Sequence, residues 1–340
     1  MTKLKNGVLL INLGTPDSPS IADVRKYLRE FLMDARVMDI PFWSRFLLVH
    51  LVIAPFRAPQ SAKAYRMLWT PQGSPLKFYG NEVQKLLQQA LGEGFQVELA
   101  MRYQNPGIKD VLSRLKTTAL KSLTVIPLYP QYAGASSGST IQEVMKEIKK
   151  WEVIPDLKLI SRFFDDPLFI KAFAQLGRKY MALAPYDHYL FSYHGLPQKQ
   201  VLKSSCECRL GDCCMVYGCK NRYCYRAQCF ETTRLLAEEL GIPKGDYTAC
   251  FQSRLGSTPW IKPHTDETIK RLAQKGIKSV LVFSPSFVAD CLETTVEIGY
   301  EYKKLFFRHG GRRWQMVESL NTQPVWVDCL KELIINEYKH

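Results

Sequence analysis

The chain has 340 residues, of which 46% are hydrophobic and 23% are charged. This composition excludes disorder over most of the chain, and the length suits about two domains of roughly 150 residues each. The 46 basic and 32 acidic residues give a formal net charge of +14, which indicates either an ordinary solvated surface or one that contacts anionic lipid or a carboxylate ligand. Nucleic acid is not expected as a partner, because the sequence has no basic block and no nucleic-acid motif.

The N-terminal segment predicts a buried strand rather than a signal peptide. The apolar run 8–13 ends in the turn residues 14–16, and Asp17 or Ser18 is placed to cap the helix that follows. Similar apolar strands are predicted at 123–128, 189–193 and 280–283, with a helix at about 139–150 after the first of them. Continuous apolar strands that alternate with helices are typical of a parallel sheet covered on both faces. No apolar run reaches the roughly 18 residues that a membrane-spanning helix needs.

A weak internal repeat links the two halves of the chain. Lys121-Ser122 and Lys278-Ser279 each stand between a predicted helix and a predicted strand. Two similar α/β domains of about 150 residues account for this pattern, and chance similarity between two helix–strand units is the alternative.

Segment 41–59 differs from the rest because it is unusually rich in aromatic and aliphatic residues. Arg45, His50 and Arg57 interrupt it, so it is too short and too charged to cross a bilayer. It is expected to form either a buried helix or an apolar lip that enters a membrane surface or holds a flat ligand.

Candidate catalytic residues stand where two of the predicted strands end. His194 directly follows strand 189–193 and precedes Gly195. Glu293 and Glu297 follow strand 280–283 and are four residues apart, so they share one face of a helix. In open α/β sheets, ligands bind beyond the carboxyl ends of the strands. An imidazole that faces paired carboxylates can accept protons or pass on a divalent cation, whereas a structural histidine and a solvated helix face are the alternatives.

Seven of the ten cysteines fall within 24 residues, which indicates a metal or cluster site. They are Cys206, Cys208, Cys213, Cys214, Cys219, Cys224 and Cys229. A disulfide framework is not expected without a secretion signal, and the absence of a Cys-x-x-Cys pair disfavours a zinc ribbon.

Ten short motifs spread over nearly the whole chain resemble those of the ferrochelatases, in the same order. They are NLGTP (12–16), GSPL (73–76), RY (102–103), PLYPQY (127–132), SYHGLP (192–197), FQSR (251–254), PW (259–260), TDE (265–267), DCLET (290–294) and ESLN (318–321). Ferrochelatases insert ferrous iron into a porphyrin in the last step of haem synthesis. Each motif alone is weak, whereas the ten together are very specific.

The resemblance implies a fold of class α/β, with two Rossmann-like domains that each contain a parallel four-stranded sheet and with a porphyrin cleft between them. The first domain is expected at 1–162 and the second at 163–317, with a cysteine-rich insertion at 204–228. A C-terminal helix at about 318–340 is expected to pack back near the first domain.

The resemblance also implies the roles of individual residues. His194 and Glu293 are expected to be the catalytic pair that binds the Fe²⁺ substrate, with Glu297 as a third metal ligand. The residues expected to bind the porphyrin are Leu13, Tyr65, Arg66, Arg102, Tyr103, Tyr129 and Trp260. Arg66 or Arg102 would pair with a propionate, and a structural salt bridge is the alternative for each. The lip of the family corresponds to segment 41–59, which favours a cytoplasmic protein attached peripherally to a membrane.

The cysteines depart from the common cluster pattern of the family. Gly134 and Ala135 stand where one ligand is usual, and the C-terminal tail holds only Cys329. We therefore expect a [2Fe–2S] cluster held within the insertion, with structural zinc or free thiols as alternatives. The expected ligands are Cys206, Cys214, Cys219 and Cys224, with Cys208 and Cys213 in reserve. Cys229, Cys250 and Cys291 are expected to be structural.

The expected activity is the insertion of Fe²⁺ into protoporphyrin IX. A chelatase of coproporphyrin or another tetrapyrrole is the alternative within the same chemistry. A tetrapyrrole carrier or an iron–sulfur sensor without turnover is the alternative outside it, and a homodimer is left open.

Overall fold

The computed structural model describes residues 4–204, 208–256 and 258–338, and the chain divides into two compact units. The first unit contains Met1–Tyr129, Gly134–Arg162 and Val327–His340, and the second contains Pro130–Ala133 and Phe163–Trp326. Each unit is built around a parallel sheet, as the continuous apolar strands predict.

The sheet of the first unit consists of four strands within the described residues. They are β1 (Lys5–Gly14), β2 (Phe95–Tyr103), β3 (Leu120–Pro127) and β4 (Asp156–Leu159). The spatial order is β2-β1-β3-β4, and Leu9 of β1 pairs with Val125 of β3. Val8 to Ile11 have no exposed surface, because helices cover both faces of the central strands. That burial is the physical reason for the uninterrupted apolar run.

Helices connect these strands. They are α1 (Ile21–Leu32), α2 (Phe42–Leu47), α3 (Ala54–Leu68), α4 (Pro75–Leu91), α5 (Ile108–Lys116) and α6 (Ser139–Ile148), with π-helical turns at Leu48–Ile53 and Gly134–Gly138. α6 confirms the helix predicted at about 139–150. The predicted cap of α1 is wrong: Ser20, rather than Asp17 or Ser18, accepts a hydrogen bond from the Asp23 amide, and the Ser18 hydroxyl bonds the Asp23 carboxylate instead.

The C-terminal residues complete the first unit. α12 (Pro324–Asn336) leads to Tyr338, whose hydroxyl lies 2.8 Å from that of Ser122 and 3.0 Å from that of Thr124. Its ring packs edge-on against Phe95, and the Lys158 amine lies 3.8 Å from the ring centroid. The end of the chain is therefore held against β3 by hydrogen bonds and a cation–π contact.

The second unit repeats this architecture. Its strands are β5 (His188–His194), β6 (Tyr247–Gln252), β7 (Ser279–Phe283) and β8 (Arg313–Met316), in the order β6-β5-β7-β8. Its helices are α7 (Pro167–Met181), α8 (Gln198–Ser204), α9 (Tyr225–Leu240), α10 (Thr265–Gln274) and α11 (Lys303–Arg308), and a π-helix spans Leu292–Tyr302. Because the order second–first–third–fourth is the same in both sheets, the internal repeat reflects a shared topology and not a chance likeness of two short segments.

Segment 41–59 forms helices whose apolar side chains are largely exposed, so the buried-helix alternative is wrong. Trp43 is 72% exposed and Phe56 is 77% exposed, with further exposed positions at Phe42, Leu47, Leu51 and Val52. The small residues Ala54, Ala58 and Ala62 are fully buried instead, which explains how the helix packs without burying its large side chains. No helix among the described residues is both long and apolar enough to cross a membrane.

His188 makes the stability of the second unit depend on pH. Burial lowers the pKa of His188 to about 4. The negative charge of Asp246 opposes this shift, and the positive charges of Lys275 and Arg271 add to it. Its Nε2 atom lies 2.9 Å from the Thr248 hydroxyl. The unfolded chain takes up a proton near pH 6.5, so between about pH 6.5 and 4 the unfolded state binds more protons and the folded state loses stability as pH falls.

We expect the free energy of unfolding to drop by about 2 kcal/mol between pH 7 and pH 4.5 because of this residue. Urea unfolding of His188→Gln at both pH values should show a smaller drop than the wild-type protein. The exposed His309 provides the control, since His309→Gln should keep the full dependence. Equal pH dependence in the wild type and His188→Gln would contradict the assignment.

Candidate active site

His194 ends β5 at the carboxyl edge of the second sheet, where its side chain is partly buried. Its Nδ1 atom lies 2.6 Å from the carbonyl oxygen of Gly195, which orients the ring and leaves Nε2 as the nitrogen able to act as a base. The ring centroids of Trp260 and Phe287 lie 6.4 and 6.5 Å from that of the imidazole. The imidazole of His194 therefore has two aromatic rings beside it.

Gly195 allows the close packing beside this imidazole. A Cβ at this position would lie 2.7 Å from the carbonyl oxygen of Gln252 and 3.1 Å from the ring of Trp260. The Gly195 amide donates to the same carbonyl at 2.9 Å, and the Trp260 indole N–H donates to the Leu255 carbonyl at 2.9 Å. The backbone thus places Trp260, an expected porphyrin residue, next to His194.

Gln252 joins the histidine strand to the acidic helix. It ends β6 opposite His194, and its side-chain oxygen accepts a hydrogen bond from the Ser192 hydroxyl at 2.7 Å. Its side-chain N–H₂ donates to the backbone carbonyl of Glu293 and to the Glu297 carboxylate, both at 3.0 Å. This fully buried amide therefore sets the position of the acidic helix relative to the end of β5.

The Glu297 carboxylate is held by a set of donors. Besides Gln252, it accepts hydrogen bonds from the Ser253 amide at 2.8 Å, the Ser253 hydroxyl at 2.6 Å and the Tyr302 hydroxyl at 2.8 Å. In the folded protein, burial and the Glu297 charge raise the pKa of Tyr302, so Tyr302 stays a donor. Four donors thus hold the Glu297 carboxylate in one position, whereas Glu293, one turn earlier and partly buried, lies nearer the N-terminus of the π-helix.

Gln252, which pairs with His194 in the sheet, thus links the end of β5 to the helix that carries Glu293 and Glu297. Among the described residues, the side chains of His194, Glu293 and Glu297 do not form a group of ligand atoms within 4.8 Å of one another. The helix that carries Glu293 and Glu297 is a π-helix rather than an α-helix. π-Helical turns are often found at functional sites. The imidazole of His194 can act as a base that takes protons from N–H groups. Carboxylates such as those of Glu293 and Glu297, together with an imidazole, can bind Fe²⁺ while the ion loses its water ligands.

The first sheet places four of the other expected porphyrin residues at its own carboxyl edge. Leu13 is the last residue but one of β1, Arg102 and Tyr103 end β2, and Tyr129 follows β3. Tyr65 and Arg66 lie on α3, where Tyr65 packs on Tyr27 and its neighbour Arg66 is exposed. Burial raises the pKa of Tyr129, so this phenol is neutral.

Arg102 forms a salt bridge within the first unit. A structural salt bridge was the alternative to pairing with a propionate of the porphyrin. The Arg102 guanidinium lies 2.8 Å from the Asp34 carboxylate and donates to the Ser139 hydroxyl at 2.8 Å. Tyr103 also donates to Asp34 at 2.8 Å. Burial alone would raise the pKa of Asp34, but the hydrogen bonds from Ser139, the Arg36 amide and Tyr103, with the charge of Arg102, hold it below its usual value.

The cysteine segment of the second unit brings several thiols together. The sulfurs of Cys208, Cys213 and Cys214 all lie within 4.8 Å of one another, and the Cys224 sulfur lies 3.7 Å from that of Cys214. A single metal ion bound tetrahedrally with bonds of about 2.3 Å holds its sulfurs about 3.8 Å apart. Three sulfurs this close suit thiolates that share one ion, as in a zinc site, whereas each iron of a [2Fe–2S] cluster takes two thiolates, so one of the three would have to move to the second iron.

The other expected ligands are placed differently. Cys219 is exposed and lines the same cavity, of about 370 Å³, as these four cysteines. Cys206 lies outside the described residues. A hydrogen bond from Cys214 lowers the pKa of Cys224 and raises that of Cys214, which favours a thiolate, the metal-binding form, at Cys224.

Three polar residues of these edges were missed in the sequence. Gln252 lies in a motif that was recognised without a role for this side chain, and Asp34 is 68 residues from its partner Arg102. Tyr302 follows Glu297 by five residues and would have been found only if the helix had been expected to be of the π type.

Comparison with known proteins gives one consistent family. A family model described as Ferrochelatase matches residues 5–338. The ferrochelatase of Legionella pneumophila (strain Lens) is 43% identical over 335 residues, which cover 98% of this chain and 100% of the relative. That of Coxiella burnetii (strain Dugway 5J108-111) is 42% identical over 332 residues, covering 97% and 93%. A solved structure of CbiX, described as the terminal enzyme of sirohaem biosynthesis in denitrifying bacteria, aligns with a TM-score of 0.49 at 12% identity over 98% of this chain and 99% of that chain.

Proposed function

The chain belongs to the ferrochelatase family and so is an enzyme of haem synthesis that inserts iron into a porphyrin, and we propose that its porphyrin substrate is protoporphyrin IX. The observation that carries this choice is the engagement of Arg102 by Asp34. Of the two arginines considered as propionate partners, only Arg66 is exposed to a ligand. Protoporphyrin IX has two carboxylates and coproporphyrin has four. With Arg66 as the exposed arginine of the two, the porphyrin with fewer carboxylates is the better match.

We propose that His194 and Glu293 carry out the insertion. Two pyrrole protons must leave the ring as Fe²⁺ enters, and the Nε2 atom of His194 would accept them one at a time and release each to solvent. Glu293 would bind Fe²⁺ until the ring takes the ion, while Glu297 would place a second carboxylate along the same helix. The porphyrin would be bound by Leu13, Tyr65, Arg66, Tyr103, Tyr129 and Trp260, with Arg102 as a positioning residue.

An anaerobic insertion assay tests the substrate. The purified protein is mixed with Fe²⁺ and either protoporphyrin IX or coproporphyrin III, and the visible bands of the metallated ring are followed. Faster turnover of protoporphyrin IX is expected. Preferential turnover of coproporphyrin III would contradict the proposal, and tight porphyrin binding without turnover would favour a carrier.

We propose that the exposed apolar surface of segment 41–59 attaches this cytoplasmic enzyme to a membrane surface. Trp43 and Phe56, both more than 70% exposed, would enter the lipid, and the net charge of +14 would favour anionic headgroups. Protoporphyrin IX is poorly soluble in water, so a membrane is a suitable source of it.

Replacing Trp43 and Phe56 together by Ser should weaken binding to vesicles with anionic lipid by at least about tenfold. Sedimentation of the protein with vesicles measures this binding. Leu183→Ser, at an exposed leucine outside the segment, provides the control and should bind as the wild type does. Equal sedimentation of all three proteins would rule out this surface.

We propose that the cysteine segment holds a [2Fe–2S] cluster through Cys208, Cys213, Cys214 and Cys224. The short sulfur–sulfur distances among Cys208, Cys213, Cys214 and Cys224 support these four as ligands. Cys219 lines the same cavity but is exposed, and Cys206 lies outside the described residues. The cluster would supply cross-links that fix residues 208–224. Insertion of Fe²⁺ involves no net electron transfer, so no catalytic step is assigned to it.

The purified protein should be brown and contain iron and sulfide in equal amounts. Cys214→Ser and Cys224→Ser should each lose most of this iron, because a buried thiolate ligand is removed in each case. Cys219→Ser should retain it, and so should Cys250→Ala, which changes a buried cysteine of β6. A colourless protein with one equivalent of zinc would contradict the cluster.

A further inference from the structure

Cys224 is followed by two residues that reach the surroundings of His194. Cys224 is the N-terminal cap of α9, and its buried sulfur lies 3.7 Å from that of Cys214. Tyr225 and Arg226 form the start of α9. Because Cys224 is the cap residue directly before the first turn of α9, a displacement of Cys224 can be passed to Tyr225 and Arg226.

Tyr225 reaches the backbone of His194. Its buried hydroxyl donates to the carbonyl oxygen of His194 at 2.8 Å and lies 3.2 Å from the hydroxyl of Ser286. Ser286 directly precedes Phe287, whose ring packs beside the imidazole. A single hydroxyl therefore holds both the backbone that carries the imidazole and the loop that contacts its ring.

Arg226 contacts the loop that carries Trp260, whose ring lies beside the imidazole. Its Nε atom donates to the carbonyl of Lys262 at 3.1 Å, two residues beyond Trp260, and its Nη1 atom donates to the carbonyl of Gly211 at 2.9 Å. The same guanidinium bonds the sulfur of Cys214. Arg226 thus ties the cysteine segment to the loop that carries Trp260.

From these contacts we propose that Tyr225 is a positioning residue that transmits the state of the cysteine group, Cys208, Cys213, Cys214 and Cys224, to His194. With the four thiols bound to a metal or cluster, Cys224 is fixed and the Tyr225 hydroxyl holds the end of β5. When the bound metal or cluster is lost, residues 208–224 retain few buried side chains, since Cys213, Val216 and Cys219 are exposed. Cys224 then moves, and the Tyr225 hydroxyl no longer holds His194 in place. The inference rests on the proposed roles of His194 and of the cysteine group.

The position of His194 can be measured without turnover. Protein labelled with ¹³C at the histidine Cε1 atoms is purified with its cysteine group intact, and the His194 signal is assigned by its loss in His194→Gln. In the wild type, removal of the bound iron or zinc with a chelator is expected to shift this signal. In Tyr225→Phe the signal is expected to be shifted before treatment and to move little further.

Kinetics provide the second measurement. In Tyr225→Phe with its metal retained, kcat is expected to fall by about tenfold while the KM for porphyrin stays unchanged, because one hydrogen bond to the His194 backbone is lost and the porphyrin contacts remain. Tyr193→Phe is the matched control. Tyr193 is equally buried and next to His194, but its hydroxyl bonds Thr233, so its variant should keep the wild-type His194 signal and chelator response.

The proposal is overturned if chelation shifts the His194 signal equally in the wild type and in Tyr225→Phe, or if chelation leaves the wild-type signal in place. Arg226→Gln is a second variant, on the other connection, and should reduce the chelator-induced shift. An unchanged shift in that variant would remove Arg226 from the pathway. If His194→Ala retains full turnover, the proposed function fails first, and that result is distinct from a failure of the coupling.

Discussion

His194→Ala is expected to reduce the rate of iron insertion by about 10²–10⁴-fold, the usual contribution of a positioned general base. The imidazole ends β5, and the Gly195 carbonyl accepts from its Nδ1 atom, which leaves Nε2 to act as the base that this substitution removes. Glu293→Ala should cause a loss of similar size. Both variants should still bind porphyrin, because they retain the apolar and aromatic residues that hold the ring.

Turnover and porphyrin binding are measured separately, by the visible bands of the metallated ring and by quenching of tryptophan fluorescence. His309→Ala, at an exposed histidine of the same unit, is the matched control and should turn over at the wild-type rate. If both His194→Ala and Glu293→Ala keep wild-type turnover, the site assignment is wrong. Loss of porphyrin binding in either would place that residue in binding rather than in chemistry.

Gly14→Ala is expected to lower the free energy of unfolding of the first unit by about 3–5 kcal/mol. Gly14 has a φ of +117°, and a Cβ at this position would lie 2.0 Å from the carbonyl oxygen of Tyr103. Backbone strain and overlap between two strands therefore add together. Neither can relax cheaply, because β1 and β2 are paired from Asn6 with Phe95 to Gly14 with Tyr103.

Urea unfolding followed by circular dichroism measures the loss. Gly92→Ala separates the two causes, since Gly92 also has a positive φ, of +75°, but a Cβ there would meet open space. We expect it to cost only about 1–2 kcal/mol. Similar losses in the two variants would show that strain alone, and not the close approach of Tyr103, requires glycine at position 14.

The strands were predictable because burial on both faces leaves a direct mark on the sequence. Val8 to Ile11 must all be apolar when helices cover both faces of β1, and the same holds for β3, β5 and β7. The motifs around His194 and Glu293 follow such strands, so their place at a sheet edge could also be predicted. These features depend on residues that are close in sequence.

The exposure of segment 41–59 could not be predicted. Its composition suits a buried helix as well as an exposed one, and the outcome depends on which side of the helix packs against the rest of the first unit. The alanines Ala54, Ala58 and Ala62 face inward, and Trp43 and Phe56 face outward. Only the tertiary structure shows that choice.

The sequence by itself determined the α/β architecture, its internal repeat and the family, because strand burial and short local motifs are recorded residue by residue. The tertiary structure decided which polar groups meet. It paired Arg102 with Asp34, placed Gln252 between β5 and the acidic helix, and connected Cys224 to His194 through Tyr225. Such partners are tens of residues apart, and their hydrogen bonds depend on side-chain directions that no periodicity or spacing specifies.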